Sequence, residues 1–252
     1  MMLLVDVGNS RVKWARLDAS GVLGEQVAAP YAGWSVGQWR VALFDDRPVA
    51  GVLAASVAGD ETDAALDAAA RLATGRGVEF VATAREAAGV RNGYADPALL
   101  GVDRWVAVVG AHRHTRGACV VADIGTAATI DVVASDGRHQ GGYIVPGPAL
   151  MVASLLRSTA DLAARHDSSG AARTERPFAD NTRDAIERGC RLAVAALVDR
   201  SVADAERTTG EPPRLLLTGG AAPGLLPYLR TAAEHLPDLV LRGLAELART
   251  RG

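Results

Sequence analysis

Three apolar residues, Leu3, Leu4 and Val5, run into Asp6, and after Gly8-Asn9-Ser10 apolar positions return at Val12, Trp14 and Leu17. The unbroken run predicts a strand covered on both faces. Glycine and asparagine tolerate positive φ, so Gly8 to Ser10 predicts the tip of a hairpin. Residues 48–57 and 78–82 read as further buried strands, with a helix over 62–74 between them that has Thr62 as its cap. Another helix is expected over 99–109, ending near Gly110. Residues 118–133 predict a second hairpin, and the strand through Gly141-Gly142 is ended by Pro146-Gly147. Helices are expected over 148–165 and 182–207, and a loop over 166–180, which is rich in Ser, Gly, Ala and charge. The longer helix carries Ile186, Cys190, Ala193, Leu197 and Val198 on one face. Periodicity alone leaves open whether that stripe meets a partner or its own subunit. A last strand from 214 runs into Gly219-Gly220.

The second hairpin repeats the logic of the first. Asp6-Val7-Gly8-Asn9-Ser10 and Asp123-Ile124-Gly125-Thr126-Ala127 each close an apolar run with an aspartate, a glycine two positions on, and a hydroxyl beyond it. They lie nearly half the chain apart. An accidental turn would not be expected at the same place in both halves, so the repeat predicts two similar α/β lobes, 1–115 and 116–252.

Composition narrows the class. In 252 residues, 49% hydrophobic and 22% charged, there is ample material for a core. The net charge of −2, with basic residues scattered, lacks the stripe of a nucleic-acid binder. Cys119 and Cys190 have no near partner, as expected in a reducing compartment. No apolar stretch approaches a membrane span or a signal peptide, so the expectation is a cytoplasmic protein with no membrane partner.

The repeated turns suit a nucleotide. Phosphate needs backbone N–H groups that can approach closely and a route to neutralise charge. Gly8 and Gly125 clear space, Asn9, Ser10 and Thr126 offer polar contacts, and Lys13 is a point cation. Asp6 and Asp123 would repel phosphate unless a cation intervened. Gly219-Gly220 can admit the base or ribose. The residues by themselves reach an ATP-dependent kinase of a small alcohol.

At DVGNSRVKW (6–14), NGY (92–94), GVDRW (101–105), DIGTAATID (123–131), GGYIVPG (141–147) and NTRDAI (181–186), the chain resembles type III pantothenate kinases. These belong to the actin/hexokinase (acetate and sugar kinase) superfamily. The resemblance implies two ribonuclease H-like lobes with a nucleotide cleft between them, and phosphorylation of pantothenate as the first step of coenzyme A biosynthesis. It assigns Asp103 as proton acceptor and Tyr94, Gly101, Val102, Asp103, Arg104 and Thr182 to pantothenate. To ATP it assigns Asp6, Val7, Gly8, Asn9, Ser10, Arg11, Val12, Lys13 and Thr126. Asp123 is implied as the ligand of a monovalent cation, K⁺ or NH₄⁺, and Asp6 is the choice for the Mg²⁺ side. A homodimer that shares the substrate site is also implied. Ser10 stands where the family commonly has threonine, and it keeps the hydroxyl.

Plainer structural roles compete for single residues. Asp103 could serve only the dipole of its helix, and Thr182 could be only a helix N-cap. Gly33-Trp34-Ser35-Val36-Gly37 matches the hydrolase pattern G-x-S-x-G, but Pro30 makes the preceding segment a poor central strand. His112 and His114 read as a solvated helix end. Two rival functions remain open: a non-catalytic transcriptional accessory factor of the same family, and another small-molecule kinase of the superfamily.

Overall fold

Both aspartate-bearing hairpins form in the computed structural model of the chain, which describes residues 1–44, 48–158, 166 and 178–250. Among these residues the strands are β1 (Met2–Val7), β2 (Arg11–Leu17), β3 (Val27–Pro30), β4 (Gly51–Ser56), β5 (Val78–Phe80), β6 (Glu86–Ala87), β7 (Val90–Arg91), β8 (Cys119–Ile124), β9 (Ala127–Val133), β10 (His139–Pro146), β11 (Arg214–Thr218) and β12 (Ala233–His235). The helices are α1 (Val36–Leu43), α2 (Asp60–Thr74), α3 (Val102–Thr115), α4 (Pro148–Ser158), α5 (Thr182–Thr209) and α6 (Leu239–Arg249). Short helical turns lie at Pro97–Leu99 and Ala222–Leu225. The expected helical residues 159–165, and all of the expected loop except His166 and 178–180, lie outside the described residues.

The chain divides into two compact units. The first comprises residues 1–117, 133–141 and 238–252, and the second 118–132 and 142–237. Two five-stranded sheets repeat one order, β3-β2-β1-β4-β5 and β10-β9-β8-β11-β12. β1 runs antiparallel to β2 and parallel to β4, and β11 runs parallel to β8 and β12. The doubled α/β architecture is therefore the one the repeat predicts. Each aspartate lies one residue before the end of the central strand of its sheet, at the carboxyl-terminal edge it shares with a parallel neighbour, β4 or β11, the edge at which α/β sheets take ligands.

In the first unit Leu3, Val5 and Val7 of β1 pack with Trp39 and Leu43 of α1 and Leu66 and Ala69 of α2. Full burial of such side chains is worth about 1.5–3 kcal/mol each. α2 starts earlier than expected, at Asp60 behind Gly59, and Thr62 is not its cap. Acidic Asp60, Glu61 and Asp63 fill its first turn, where they favour the helix dipole.

α3 does not stop near Gly110. It continues to Thr115, because Gly110 is a contact point and not a terminus. A Cβ at Gly110 would lie 2.7 Å from the Leu239 carbonyl oxygen, and one at Gly243 of α6 would lie 1.9 Å from that of Val106. Two glycines thus let α3 and α6 cross at backbone contact.

The second unit packs Val194, Ala195, Val198 and Ala205 of α5 against Val120, Ala122 and Leu217 of its sheet. The expected stripe is split. Ile186, Cys190 and Val198 are buried within the chain, Leu197 is partly buried, and Ala193 is exposed. The open face of α5 is instead Ala185, Gly189, Leu192, Ala193 and Ala196.

Candidate active site

The first turn joins β1 to β2 through Gly8, Asn9 and Ser10. The Gly8 amide donates to the Arg11 carbonyl at 3.0 Å, and the Tyr31 hydroxyl donates to the Gly8 carbonyl at 2.6 Å. Burial, and then the charge of Asp63, push the Tyr31 phenol up, which keeps it a neutral donor. Asn9, Ser10 and Arg11 are exposed, and Val12 returns to the core. Asp6 is buried and pairs in register with Lys13, whose Nζ lies 3.8 Å from Oδ2. The lysine supplies the countercharge that a buried carboxylate requires. Gly8 has no positive φ, and the nearest atom to a Cβ there would be 3.4 Å away. Neither strain nor a severe clash demands glycine there, and the missing side chain leaves the backbone of the turn uncovered.

The second turn is tighter. The Gly125 amide donates to Ala127 at 2.9 Å, with Thr126 exposed at the tip. Gly125 is equally unconstrained, lying 3.6 Å or more from its neighbours with no positive φ. Gly219, at φ +91°, is constrained: a Cβ would fall 2.4 Å from both Asp123 Oδ1 and the Ile124 carbonyl. The Gly219-Gly220 turn thus lies directly on the Asp123 carboxylate, and the two expected nucleotide elements of this unit meet.

The third cluster belongs to the first unit. Gly101 precedes α3, and its missing side chain makes room for Asp103, whose Oδ1 would be 2.8 Å from a Cβ there. That oxygen accepts the Arg104 amide at 2.8 Å. The expected dipole role is therefore real, yet it occupies one of two carboxylate oxygens. Val102 opens the helix, and Arg104 is buried with 6% exposure. Its Nη1 donates to the Tyr94 hydroxyl at 2.9 Å, with the guanidinium carbon 5.7 Å from the ring centre.

Two residues that sequence reasoning passed over hold Tyr94. His139 is buried and stacks on the ring at 6.0 Å and 12°. It stands far along the chain from Tyr94, and nothing in the sequence links the two. Buried Asn92 bridges the Ala84 and Pro97 carbonyls and accepts the Tyr94 amide at 3.0 Å. Its position in NGY was the available signal. Tyr31 was missed in the same way as His139.

Thr182 lies in the second unit. It is not the N-cap: Asn181 holds that position and accepts the Asp184 amide at 2.9 Å, leaving Thr182 as the first helical residue, half-buried. Ser35 is a helix cap, closing a reciprocal box with Gln38, and no nucleophile elbow forms. His112 is not solvated as expected. Burial lowers its pKa, with Asp136 opposing, and its Nδ1 is buried without a hydrogen-bond partner among the described residues.

No group of three or more His, Cys, Asp and Glu side chains suited to a metal exists among the described residues. A cation would be held by one carboxylate, neutral oxygens and phosphate, the donor set of a hard ion. No helix among them is long and apolar enough to cross a membrane.

The comparisons with known proteins converge. A family model for type III pantothenate kinase matches residues 2–204. The type III pantothenate kinase of Azoarcus sp. (strain BH72) is 40% identical over 249 residues, covering 98% of this chain and 90% of its own. Among solved structures, a candidate Baf family transcriptional activator from Campylobacter jejuni aligns with TM-score 0.58 at 21% identity, over 99% of this chain and 98% of its own. A ROK family glucokinase from Streptomyces griseus, in complex with glucose and AMPPNP, aligns with TM-score 0.52 at 13% identity, over 99% of each chain. At these identities the structures speak for the fold alone, that of the actin/hexokinase-like kinases. With the family match spanning most of the chain and near-full-length identity of this size, the chain belongs to the type III pantothenate kinase family.

Proposed function

We propose that the chain transfers the γ-phosphoryl group of ATP to the primary hydroxyl of pantothenate, the first step of coenzyme A biosynthesis. The observation that carries this reading is the Tyr94-Asp103-Arg104 cluster at the start of α3, in a chain of this family. Arg104 is a planar fork suited to the pantothenate carboxylate, and Tyr94 orients it. Asp103 takes the proton from the attacking hydroxyl. Gly101 and Val102 line the approach, and Thr182 contacts the substrate. Asp6 to Lys13 and Thr126 hold the ATP phosphates through backbone amides and hydroxyls.

Asp6 would lie on the side of the Mg²⁺ bound with ATP and Asp123 would hold K⁺ or NH₄⁺, and these ions would supply charge neutralisation at the phosphates. The chain acts as a homodimer through the open face of α5, where the small residues Ala185, Gly189, Ala193 and Ala196 admit close helix packing. Residues expected to be absent from a non-catalytic regulator, namely Asp6, Asp103 and Gly125, are all present.

Purified protein with MgATP and pantothenate, followed by phosphorus NMR, tests the reading. Phosphopantothenate should form, and Asp103→Asn should lower turnover by about 10²–10⁴-fold with an unchanged circular dichroism spectrum. Near-normal turnover removes Asp103 from the role. Transfer to glycerol, pantetheine or a hexose in preference to pantothenate assigns a different acceptor, and no transfer at all favours a regulator.

A further inference from the structure

The two sheets share one strand order, so their central aspartates can be compared neighbour by neighbour. Asp6 lies in register with Lys13 on β2 and Ala55 on β4. Asp123 lies in register with Thr218 on β11. Counting back from the bond between the Gly125 amide and the Ala127 carbonyl places Thr129 opposite it on β9. Where the first sheet offers an ammonium and a methyl group, the second therefore offers two hydroxyls.

The alternation of the strands fixes where these side chains point. Ala122, Ile124, Ile130 and Leu217 belong to the core cluster against α5. Asp123, Thr129 and Thr218, each one residue out of step, turn to the opposite face. Strands in a sheet are about 4.8 Å apart, so residues in register on that face are immediate neighbours.

Thr218 is the anomaly among them. It is completely buried, and its Oγ1 has no hydrogen-bond partner among the described residues. Buried hydroxyls in folded proteins are nearly always satisfied. Thr218 is in register with Asp123 on the neighbouring strand, and the next residue, Gly219, lies against the Asp123 carboxylate, so the unpartnered hydroxyl belongs to the residue flanking the group assigned to a cation. A carboxylate and a neutral hydroxyl fit a hard monovalent ion that binds through oxygen.

We propose that Thr218 Oγ1 is an oxygen donor, beside Asp123, for the monovalent cation of this unit. The inference rests on the kinase reading for the presence of that cation. The internal comparison gives its reason: the first sheet sets a lysine in register with its aspartate, and the second sets two hydroxyls there, oxygen donors suited to an ion from solution.

Calorimetric titration of the full chain with a non-hydrolysable ATP analogue and Mg²⁺ tests it. KCl would replace N-methyl-D-glucamine chloride stepwise at constant ionic strength. Thr218→Val keeps the shape and removes the oxygen. It should raise the K⁺ concentration for half-maximal gain in nucleotide affinity by about tenfold or more, with affinity at zero K⁺ within twofold of the parent. Thr218→Ser should restore the parental K⁺ response. If Thr218→Val does not fold, Thr218→Ala takes its place with the same expectation. A K⁺ response unchanged in these variants overturns the proposal. So does an affinity loss of equal size with and without K⁺, which would make the hydroxyl a nucleotide contact or a packing element. A parent protein whose affinity ignores K⁺ overturns it as well. Pantothenate phosphorylation by the parent, measured in parallel, then shows whether the kinase reading stands without it.

Discussion

Arg104 keeps a full positive charge at a position with 6% exposure, which a fold tolerates only where an anion or strong acceptors meet it. Tyr94 contributes one acceptor at 2.9 Å, and its ring is held by His139 behind it. If the guanidinium grips a carboxylate by two parallel bonds, a lysine cannot replace it, because a single ammonium lacks the fork. Arg104→Lys should raise the KM for pantothenate by roughly 10–100-fold, the worth of a charged hydrogen bond, with the KM for ATP little changed. Tyr94→Phe removes only the hydroxyl and should raise the same constant several-fold. Steady-state kinetics with each substrate varied separately checks both, and an equal rise in the two KM values would argue for a general loss of structure. At this scale the local structure was legible where a motif is contiguous: Asp6 to Lys13 and Asp123 to Thr126 form the two strand-turn-strand segments they predict, and Gly101 to Arg104 open α3. It was silent on Tyr31 and His139, whose contacts with Gly8 and Tyr94 join segments far apart in the chain.

Helices and strands were legible in kind and less so in extent, and glycine explains one of the clearest misses. A glycine in an apolar helical pattern reads as a terminus, yet Gly110 sits mid-helix because α6 passes over it. The information that distinguishes the two lies in Gly243, far along the chain. The split stripe of α5 has a similar origin, since the 3.6-residue period marks two apolar faces and only the sheet beneath decides which is covered. The crossing makes a paired prediction. Gly243→Ala would force a methyl group to 1.9 Å from a backbone oxygen, which cannot swing aside as a side chain can. Overpacking of this kind costs about 1–3 kcal/mol, a fall in Tm of roughly 2–10 °C for a chain of this size. Gly37 of α1 is exposed, and its nearest neighbour to a Cβ would be the Ser35 hydroxyl at 3.8 Å. Gly37→Ala should therefore raise Tm slightly, alanine being favoured in a helix by up to about 1 kcal/mol. Calorimetric melts of the two variants should move in opposite directions, and a common direction would remove the crossing as the cause.

At the scale of the whole molecule, duplication was the most legible feature, because it needs only two matching segments. The assembly was the least legible, because the stripe read from periodicity is largely covered by the chain itself. What remains open on α5 begins at Ala185 and runs through Gly189, Leu192, Ala193 and Ala196. Thr182 precedes Ala185 by one turn and lies on the same side of the helix. Tyr143, Ile144, Leu150 and Leu155 add exposed apolar surface to this unit, of the kind that marks an interface when contiguous. A second copy packed on that helical face would come close to Thr182, so the substrate site would be shared between subunits. Ala193→Arg places a long charged side chain in the middle of the face and should halve the mass seen by light scattering. Sharing is tested separately by mixing two inactive variants, Asp103→Asn and Thr182→Trp. If Thr182 of one subunit serves Asp103 of the other, each mixed dimer contains one intact pocket, and co-refolded protein should recover about a quarter of parental activity. If every pocket is built within one chain, each subunit carries a lesion and nothing is recovered. A parent that is monomeric in solution, or mixed dimers proven by differential tags yet inactive, would count against a shared site.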